Sequence, residues 1–406
     1  MRFILRAKTK TLKGQINLPA SKSISNRVLI IQALAQTPFK IENLSRADDT
    51  VIMAKALERN DIITDVGPAG TAMRFLTAFY ASRPGEKVIT GSDRMKQRPI
   101  SILVDALREL GANITYLEKE GYPPLHIEGR RLKGGIVKVA GNVSSQFITA
   151  LMLIAPTLPR PLKIEIQGDP LSRPYILMTK SLMEECGAQV SFEKNSVIVQ
   201  SGRYRSKSYT IEYDWSAASF WMSFAALSRN AKLLLKGLKE DSIQGDSATI
   251  EVFKNFGVIS QFTEKGLLIE REKIIETKSE WNFRNHPDLV QPAAVTAAGL
   301  KIPFLLKGLD NLRLKESDRI SALEKELAKA GIKSMATSNS LMIDRNELQS
   351  ECEIFDAHSD HRMVMSIAAL SMCYPEIVIR DPMVVAKSYP SFWTELEKFV
   401  DVRPGR

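Results

Sequence analysis

Nine residues, Asn311-Leu-Arg-Leu-Lys-Glu-Ser-Asp-Arg319, carry five charged side chains: Arg313, Lys315, Glu316, Asp318 and Arg319. An apolar stripe at helical spacing, Ile320, Leu323 and Leu327, follows at once. The charges therefore lie at or just before a helix N-terminus, where unpaired backbone N–H groups favour anions. Cations crowded around a carboxylate at such a place suit a site that binds an anion and moves a proton. A solvated, salt-bridged helix start has the same composition. What separates the two readings is how many other segments ask for an anion.

Several do. Leu18-Pro-Ala-Ser-Lys-Ser-Ile-Ser-Asn-Arg27 runs into an apolar helix beginning at Val28. Ser21, Ser23 and Ser25 can cap or line its start. Lys22 and Arg27 are basic where the helix macrodipole disfavours cations, which favours a functional reading. Val66-Gly-Pro-Ala-Gly-Thr-Ala-Met-Arg74 is a glycine-rich turn before another helix. Backbone at Gly70 can approach a ligand closely there, although the motif matches neither a Walker loop nor a dinucleotide fingerprint. In Gly91-Ser-Asp-Arg-Met-Lys-Gln-Arg-Pro99, Arg94, Lys96 and Arg98 alternate, and in an extended loop they would point one way. Ser144, Ser145 and Gln146 open a helix running to about Ala155, where an ordinary cap needs one polar residue. Ser172 is placed to cap the next helix, with Arg173 beside it. Asp288 is an N-cap candidate whose carboxylate could also take a proton from a bound hydroxyl. His358, Asp360 and His361 resemble a metal set, but Arg362 sits among them and no further ligand cluster is evident. Lys387 precedes the terminal helix.

The elements that must position these residues repeat. An amphipathic helix, a Gly or Asn break and a short β-rich run recur at 51–63, 102–116, 180–192, 249–260, 320–335 and 392–402. Six α/β units of this kind, each too small to bury a core alone, group into two similar domains of three. The chain crosses near residue 20 and again near Tyr213-Asp-Trp, so 1–19 plus 215–406 form one discontinuous domain and 20–214 the other. A length of 406 residues agrees with two cores.

Composition narrows the function. The chain is 44% hydrophobic and 25% charged, which is globular. No window approaches the roughly 18 uninterrupted apolar residues of a membrane span, so no membrane partner is expected. Met1-Arg-Phe-Ile-Leu-Arg reads as a first strand and not as a signal peptide, which points to the cytoplasm. Cys186, Cys352 and Cys373 form neither a disulfide framework nor zinc spacing. A net charge of +10 spread singly, with no basic tail, indicates small polyanions and no nucleic acid.

Eight of these motifs, in order, resemble the 5-enolpyruvylshikimate-3-phosphate synthase (3-phosphoshikimate 1-carboxyvinyltransferase) family. They are Ser21-Lys-Ser-Ile-Ser-Asn-Arg27, Ala69-Gly-Thr-Ala-Met-Arg74, Arg94-Met-Lys-Gln-Arg-Pro99, Val143-Ser-Ser-Gln-Phe147, Pro287-Asp288, Arg313-Leu-Lys-Glu-Ser-Asp-Arg319, Asp360-His-Arg-Met363 and Ala386-Lys387. The resemblance implies an α/β fold of two similar domains, each of three βαβαββ units in an inside-out α/β barrel. It also implies two chain crossovers and an active site in the interdomain cleft. The implied enzyme is a monomer without metal or organic cofactor. It transfers the enolpyruvyl group of phosphoenolpyruvate to the 5-hydroxyl of shikimate 3-phosphate and releases phosphate, on the way to chorismate and the aromatic amino acids. Carried over position by position, Lys22, Ser23, Arg27, Ser144, Ser145, Gln146, Ser172, Tyr175, Asp288, Asn311 and Lys315 would meet shikimate 3-phosphate. Lys22, Gly70, Arg98, Gln146, Arg319, His361, Arg362 and Lys387 would meet phosphoenolpyruvate. Asp288 would be the base and Glu316 the acid, with Lys22 as a rival proton donor.

Two departures flank the phosphoenolpyruvate loop: Pro68 where the family often has Asn, and Phe75 where it often has Pro. Both bear on the response to the herbicide glyphosate, for which the retained Gly70 implies sensitivity. The related UDP-N-acetylglucosamine enolpyruvyl transferases usually carry a reactive loop Cys, and here no Cys precedes Cys186. A non-catalytic phosphate- or nucleic-acid-binding protein would leave Asp288 and Glu316 without purpose.

Overall fold

A computed structural model describes residues 1–142, 144–274, 278–344 and 354–405. Val143 of the Ser-Ser-Gln motif and Cys352 lie outside the described residues. The chain forms two compact units, Met1–Pro19 with Glu212–Arg406, and Ala20–Ile211. The return crossing falls slightly before the expected residue 215. Ile211 N still donates to Glu42 O at 2.9 Å in the inserted unit. The Glu212 carboxylate already accepts from Ser242 and from Gln244 Nε2 in the other.

Within the inserted unit, strand Ile63–Asp65, helix Gly70–Ala81, strand Gly85–Thr90, helix Ser101–Glu109 and strands Asn113–Tyr116 and Leu125–Gly129 make one repeat. Its first two strands pair in parallel and the others antiparallel, in the spatial order first, second, fourth, third. Gly135–Val199 repeats that order. In the other unit, strands Glu280–Asn282, Phe304–Lys307, Ser334–Ala336 and Ser340–Ile343 do the same. A further repeat there begins with Thr11–Ile16 and resumes, after the whole inserted unit, with its parallel partner Asn230–Lys236. Each unit also holds a smaller sheet. One pairs Ile41–Glu42 with Tyr209–Thr210, and the other sets Arg2–Ala7 between Ile377–Arg380 and Val400–Gly405.

The two helices of each repeat differ in composition for a physical reason. The second is amphipathic: Ser101–Glu109 buries Leu103, Val104, Ala106 and Leu107 on one face. The first is enclosed. Ser145–Ile154 and Val290–Gly299 are apolar almost all round and buried nearly throughout. In one unit Trp215–Leu227, Val290–Gly299 and His361–Ala368 pack on one another. In the other Lys22–Leu34, Gly70–Ala81 and Ser145–Ile154 do so. Ala293, Ala294 and Ala297 keep the interface small enough for close approach. Strands seal the outside by alternation, as Leu233 and Leu235 point inward while Lys232 and Lys236 face water. Fully burying each such Leu is worth about 1.5–3 kcal/mol.

Two local expectations need correction. Asp93–Lys96 is a helical turn capped by Ser92, whose Oγ accepts from Met95 N at 3.3 Å. Arg94, Lys96 and Arg98 therefore do not point one way: Lys96 turns out to Glu118, and Arg98 is buried. The terminal helix is Phe392–Leu396, shorter than expected, because Val400 joins the sheet opposite Ala7.

Candidate active site

In the inserted unit, three helix starts carry polar groups that hold one another. Lys22–Leu34 is capped by Ser21, whose Oγ accepts from Ile24 N at 3.4 Å. Ser145–Ile154 is capped by Ser144, whose Oγ accepts from Gln146 N at 3.3 Å. Gln146 Nε2 donates to Thr71 Oγ1 at 3.1 Å and so ties this start to that of Gly70–Ala81. Arg27 is buried; its Nε donates to Thr179 Oγ1 and its Nη1 to Ser23 O, both at 2.8 Å. The guanidinium also lies over the Phe75 ring, 5.4 Å from its centre. Burial lowers its pKa to about 10. Lys22 Nζ pairs with the buried Asp49 carboxylate at 2.9 Å.

Arg98 lies directly against Gly70. A Cβ there would stand 2.6 Å from Arg98 Nη1, so the glycine is what lets the guanidinium approach the helix start. Arg74 braces this loop, its Nη1 reaching Gly70 O at 3.3 Å and Met95 Sδ at 3.1 Å, and its Nη2 reaching Pro99 O at 3.2 Å. Ser172 stands at the head of Arg173–Glu185 with a left-handed φ of 57°, and its side chain makes no cap hydrogen bond, contrary to expectation. Tyr175, in the first turn of that helix, has its carbonyl bonded by Thr179 Oγ1 at 2.8 Å.

The discontinuous unit collects the carboxylates. Asp288 is not a helix cap: it sits in the 3-10 turn Pro287–Leu289 and its carboxylate faces arginines. Arg319 Nη1 donates to Asp288 Oδ1 at 3.1 Å, and Arg362 Nη2 to Oδ2 at 2.6 Å. Arg319 Nη2 also reaches Glu316 Oε2 at 3.1 Å, and its Nε reaches Asp360 Oδ2 at 2.7 Å. Lys387 Nζ donates to Glu316 Oε1 at 3.3 Å. Arg319 thus joins three carboxylates while almost fully buried. Burial lowers its pKa, but Asp360, Glu316 and Asp288 outweigh that and leave it raised. For Asp288, burial pushes upward, yet Arg362, Arg319 and Lys315 prevail and hold it well below the usual carboxylate range. Asn311 is buried at the head of the turn Leu312–Leu314, next to Lys315. Asp318 caps helix Arg319–Lys329, its Oδ1 accepting from Ser321 N at 3.1 Å.

His361 is buried with Nδ1 3.8 Å from Asp360 Oδ1. Asp360 caps His361–Ala368 and holds Arg319, and no His, Cys, Asp and Glu cluster fit for a metal occurs among the described residues. No helix among them is long and apolar enough to cross a membrane.

Two carboxylates of these centres were not singled out by sequence reasoning, Asp49 and Asp246, and a third, Asp360, was weighed there only as a metal ligand, whereas it holds Arg319. Asp49 looks like ordinary first-turn chemistry in Asp48–Glu58. Asp246 lies in a 3-10 turn with no periodic signal. It is buried, accepts from Ser216 Oγ and faces Asp288, Arg362 and Asp214. Burial first, and then the Asp288 charge, raise its pKa to about 7.

Comparison with known proteins gives this arrangement a lineage. The family model described as EPSP synthase (3-phosphoshikimate 1-carboxyvinyltransferase) matches residues 6–59 and 55–396. A 3-phosphoshikimate 1-carboxyvinyltransferase of Bacteroides fragilis is 46% identical over 401 residues, 98% of each chain. One from Sulfurovum is 36% identical over 415 residues, 95% of this chain and 96% of that one. The solved EPSP synthase of Acinetobacter baumannii shares the fold, with a TM-score of 0.77 at 21% identity over 99% of this chain and 100% of its own. The solved enolpyruvyl transferase NikO of Streptomyces tendae also scores 0.77, at 15% identity over 99% and 98%. A match over most of the length and this identity across whole chains leave one assignment: the chain belongs to the EPSP synthase, or 3-phosphoshikimate 1-carboxyvinyltransferase, family.

Proposed function

We propose that this chain carries out its family's reaction with the residues described above. The enolpyruvyl group of phosphoenolpyruvate passes to the 5-hydroxyl of shikimate 3-phosphate, and inorganic phosphate leaves. A C–O bond forms between the 5-oxygen and the enol carbon, the hydroxyl proton goes to a base, and the methylene carbon gains a proton. The tetrahedral adduct then loses phosphate and a methyl proton, which restores the double bond. Asp288 is the base, and Glu316, with Lys387 on its Oε1, delivers the carbon proton.

The observation that carries this reading is Asp288 between two guanidiniums, 3.1 Å from Arg319 and 2.6 Å from Arg362. A site that merely bound polyanions would gain nothing from carboxylates that occupy its own cations. By themselves the surrounding cations make Asp288 a weak base. A bound polyanion offsets their field and raises the basicity of Asp288 towards its working range. Phosphoenolpyruvate falls to Lys22, Arg98, Arg319, Arg362 and Lys387, whose charges stabilise the departing phosphate. Shikimate 3-phosphate falls to Ser23, Arg27, Ser144, Ser145 and Gln146.

The test is phosphate release from phosphoenolpyruvate with shikimate 3-phosphate, with UDP-N-acetylglucosamine and with neither. Release only with shikimate 3-phosphate, reduced about 10²–10⁴-fold in Asp288→Ala and Glu316→Gln, is expected. Release with the nucleotide sugar would overturn the acceptor, and unimpaired variants would overturn the acid and base roles.

A further inference from the structure

Helix Arg319–Lys329 grips the segment ahead of His361–Ala368 at two places. At its start Arg319 Nε holds Asp360 at 2.7 Å. Seven residues on, two helical turns and roughly 10 Å along the same face, Glu326 holds that segment again. Glu326 Oε1 and His358 Nε2 are 2.6 Å apart, and Glu326 Oε2 accepts from Asp356 N at 2.9 Å. Lys329 Nζ completes the cluster, reaching both Glu326 oxygens at 3.0 and 2.9 Å, Asp356 Oδ2 at 2.9 Å and Ile354 O at 3.0 Å. Arg380 Nη1 adds an outer contact to Asp356 at 3.1 Å. Glu326 is a buried carboxylate, yet the reaction proposed above makes no use of it.

Between these two grips the backbone is unusual. His358 and Ser359 have φ of 51° and 56°, consecutive left-handed residues that are not glycine. Side chains resist that conformation, and a pair of them persists only where neighbours over-determine it. The residue they deliver is Asp360, wholly buried, which caps His361–Ala368 through Arg362 N at 3.0 Å and holds Arg319. Were the turn to relax, Asp360 would move, and with it the Arg319 guanidinium that faces Asp288 and Glu316.

We propose that Glu326 and His358 are positioning residues: their bond holds the left-handed turn His358–Ser359, and the turn sets Asp360 so that Arg319 points at the anion. This rests on Arg319 being a phosphoenolpyruvate ligand. Neither side chain touches substrate, and the effect passes through the backbone.

The experiment compares steady-state kinetics of the full chain with its His358→Ala, Ser359→Gly and His358→Ala/Ser359→Gly variants, with thermal melts beside them. Glycine adopts a left-handed φ without steric cost, so it can replace what the bond supplies. His358→Ala is expected to raise KM for phosphoenolpyruvate about fivefold or more, with KM for shikimate 3-phosphate unchanged. Adding Ser359→Gly should recover at least half of the lost kcat/KM. A merely structural histidine would lower the active fraction without changing KM, and the glycine would not rescue it. Unchanged KM in His358→Ala, or a folded double variant as impaired as the single one, would overturn the proposal. Should His358→Ala not fold, Glu326→Gln gives the same reading: KM for phosphoenolpyruvate rises if the clamp positions Arg319 and stays put if it does not. An inactive parent chain would instead indict the reaction itself, and a KM rise confined to shikimate 3-phosphate would indict the assignment of Arg319.

Discussion

The buried Arg319 and the half-buried Asp288 meet at 3.1 Å, and each is held by a further partner of opposite charge. Neither is placed for stability alone. A buried pair repays its desolvation only when every partner stays in place. Arg319→Met would leave Asp288, Glu316 and Asp360 facing one another without their shared cation. We expect a loss of about 3–5 kcal/mol in urea unfolding at neutral pH. A variant as stable as the parent would show that other cations neutralise the three carboxylates.

Asp246 gives stability a slope against pH. Its folded pKa of about 7 lies above the ordinary value of about 3.9, so the folded chain binds the extra proton between them. Stability from this group is therefore full below about pH 4 and is lost as pH rises through 7. Asp246→Asn should flatten that slope and add on the order of 1–4 kcal/mol at pH 8. Melting temperatures of both chains from pH 4.5 to 8 check it, and parallel curves would contradict it.

Gly70→Ala places a methyl group 2.6 Å from Arg98 Nη1. The flexible guanidinium gives way, and the close approach over the helix start is lost. Loss of one charge-assisted contact, worth about 1.5–3 kcal/mol, corresponds to a rise of about 10- to 150-fold in KM for phosphoenolpyruvate. Glyphosate inhibition should weaken in parallel. An unchanged inhibition constant would refute the argument from crowding.

Phe75 lies beneath Arg27 at 5.4 Å. Phe75→Leu removes the ring face, worth about 0.5–2 kcal/mol, and frees the guanidinium to turn. KM for shikimate 3-phosphate should rise about 2- to 30-fold while that for phosphoenolpyruvate holds. The reverse split would move Arg27 to the other substrate.

The repeat was legible in its outer helices, while the inner ones were readable as apolar helices but not as members of the period. Ser101–Glu109 and Arg319–Lys329 show an apolar stripe because one face meets water, and Gly111 and Gly331 mark where they end. Val290–Gly299 is enclosed, so nothing in its sequence alternates. Cations were legible where they violate a rule, as Lys22 does at a helix start. Carboxylates that obey the rule were not: Asp49 in a first turn looks ordinary, and only the fold shows that it holds Lys22. The alternation of Arg94, Lys96 and Arg98 misled because one serine, Ser92, turns the loop into a helical turn.

Strand Thr11–Ile16 finds its parallel neighbour only at Asn230–Lys236. During synthesis the N-terminal segment therefore emerges long before the strand beside which it belongs. The inserted unit, continuous from Ala20 to Ile211, is complete first and can bury its own core while its host is still unfinished. Once it has folded, that unit tethers Pro19 to Glu212 and shortens the loop the host must close. The order of translation thus makes the guest a scaffold for the host.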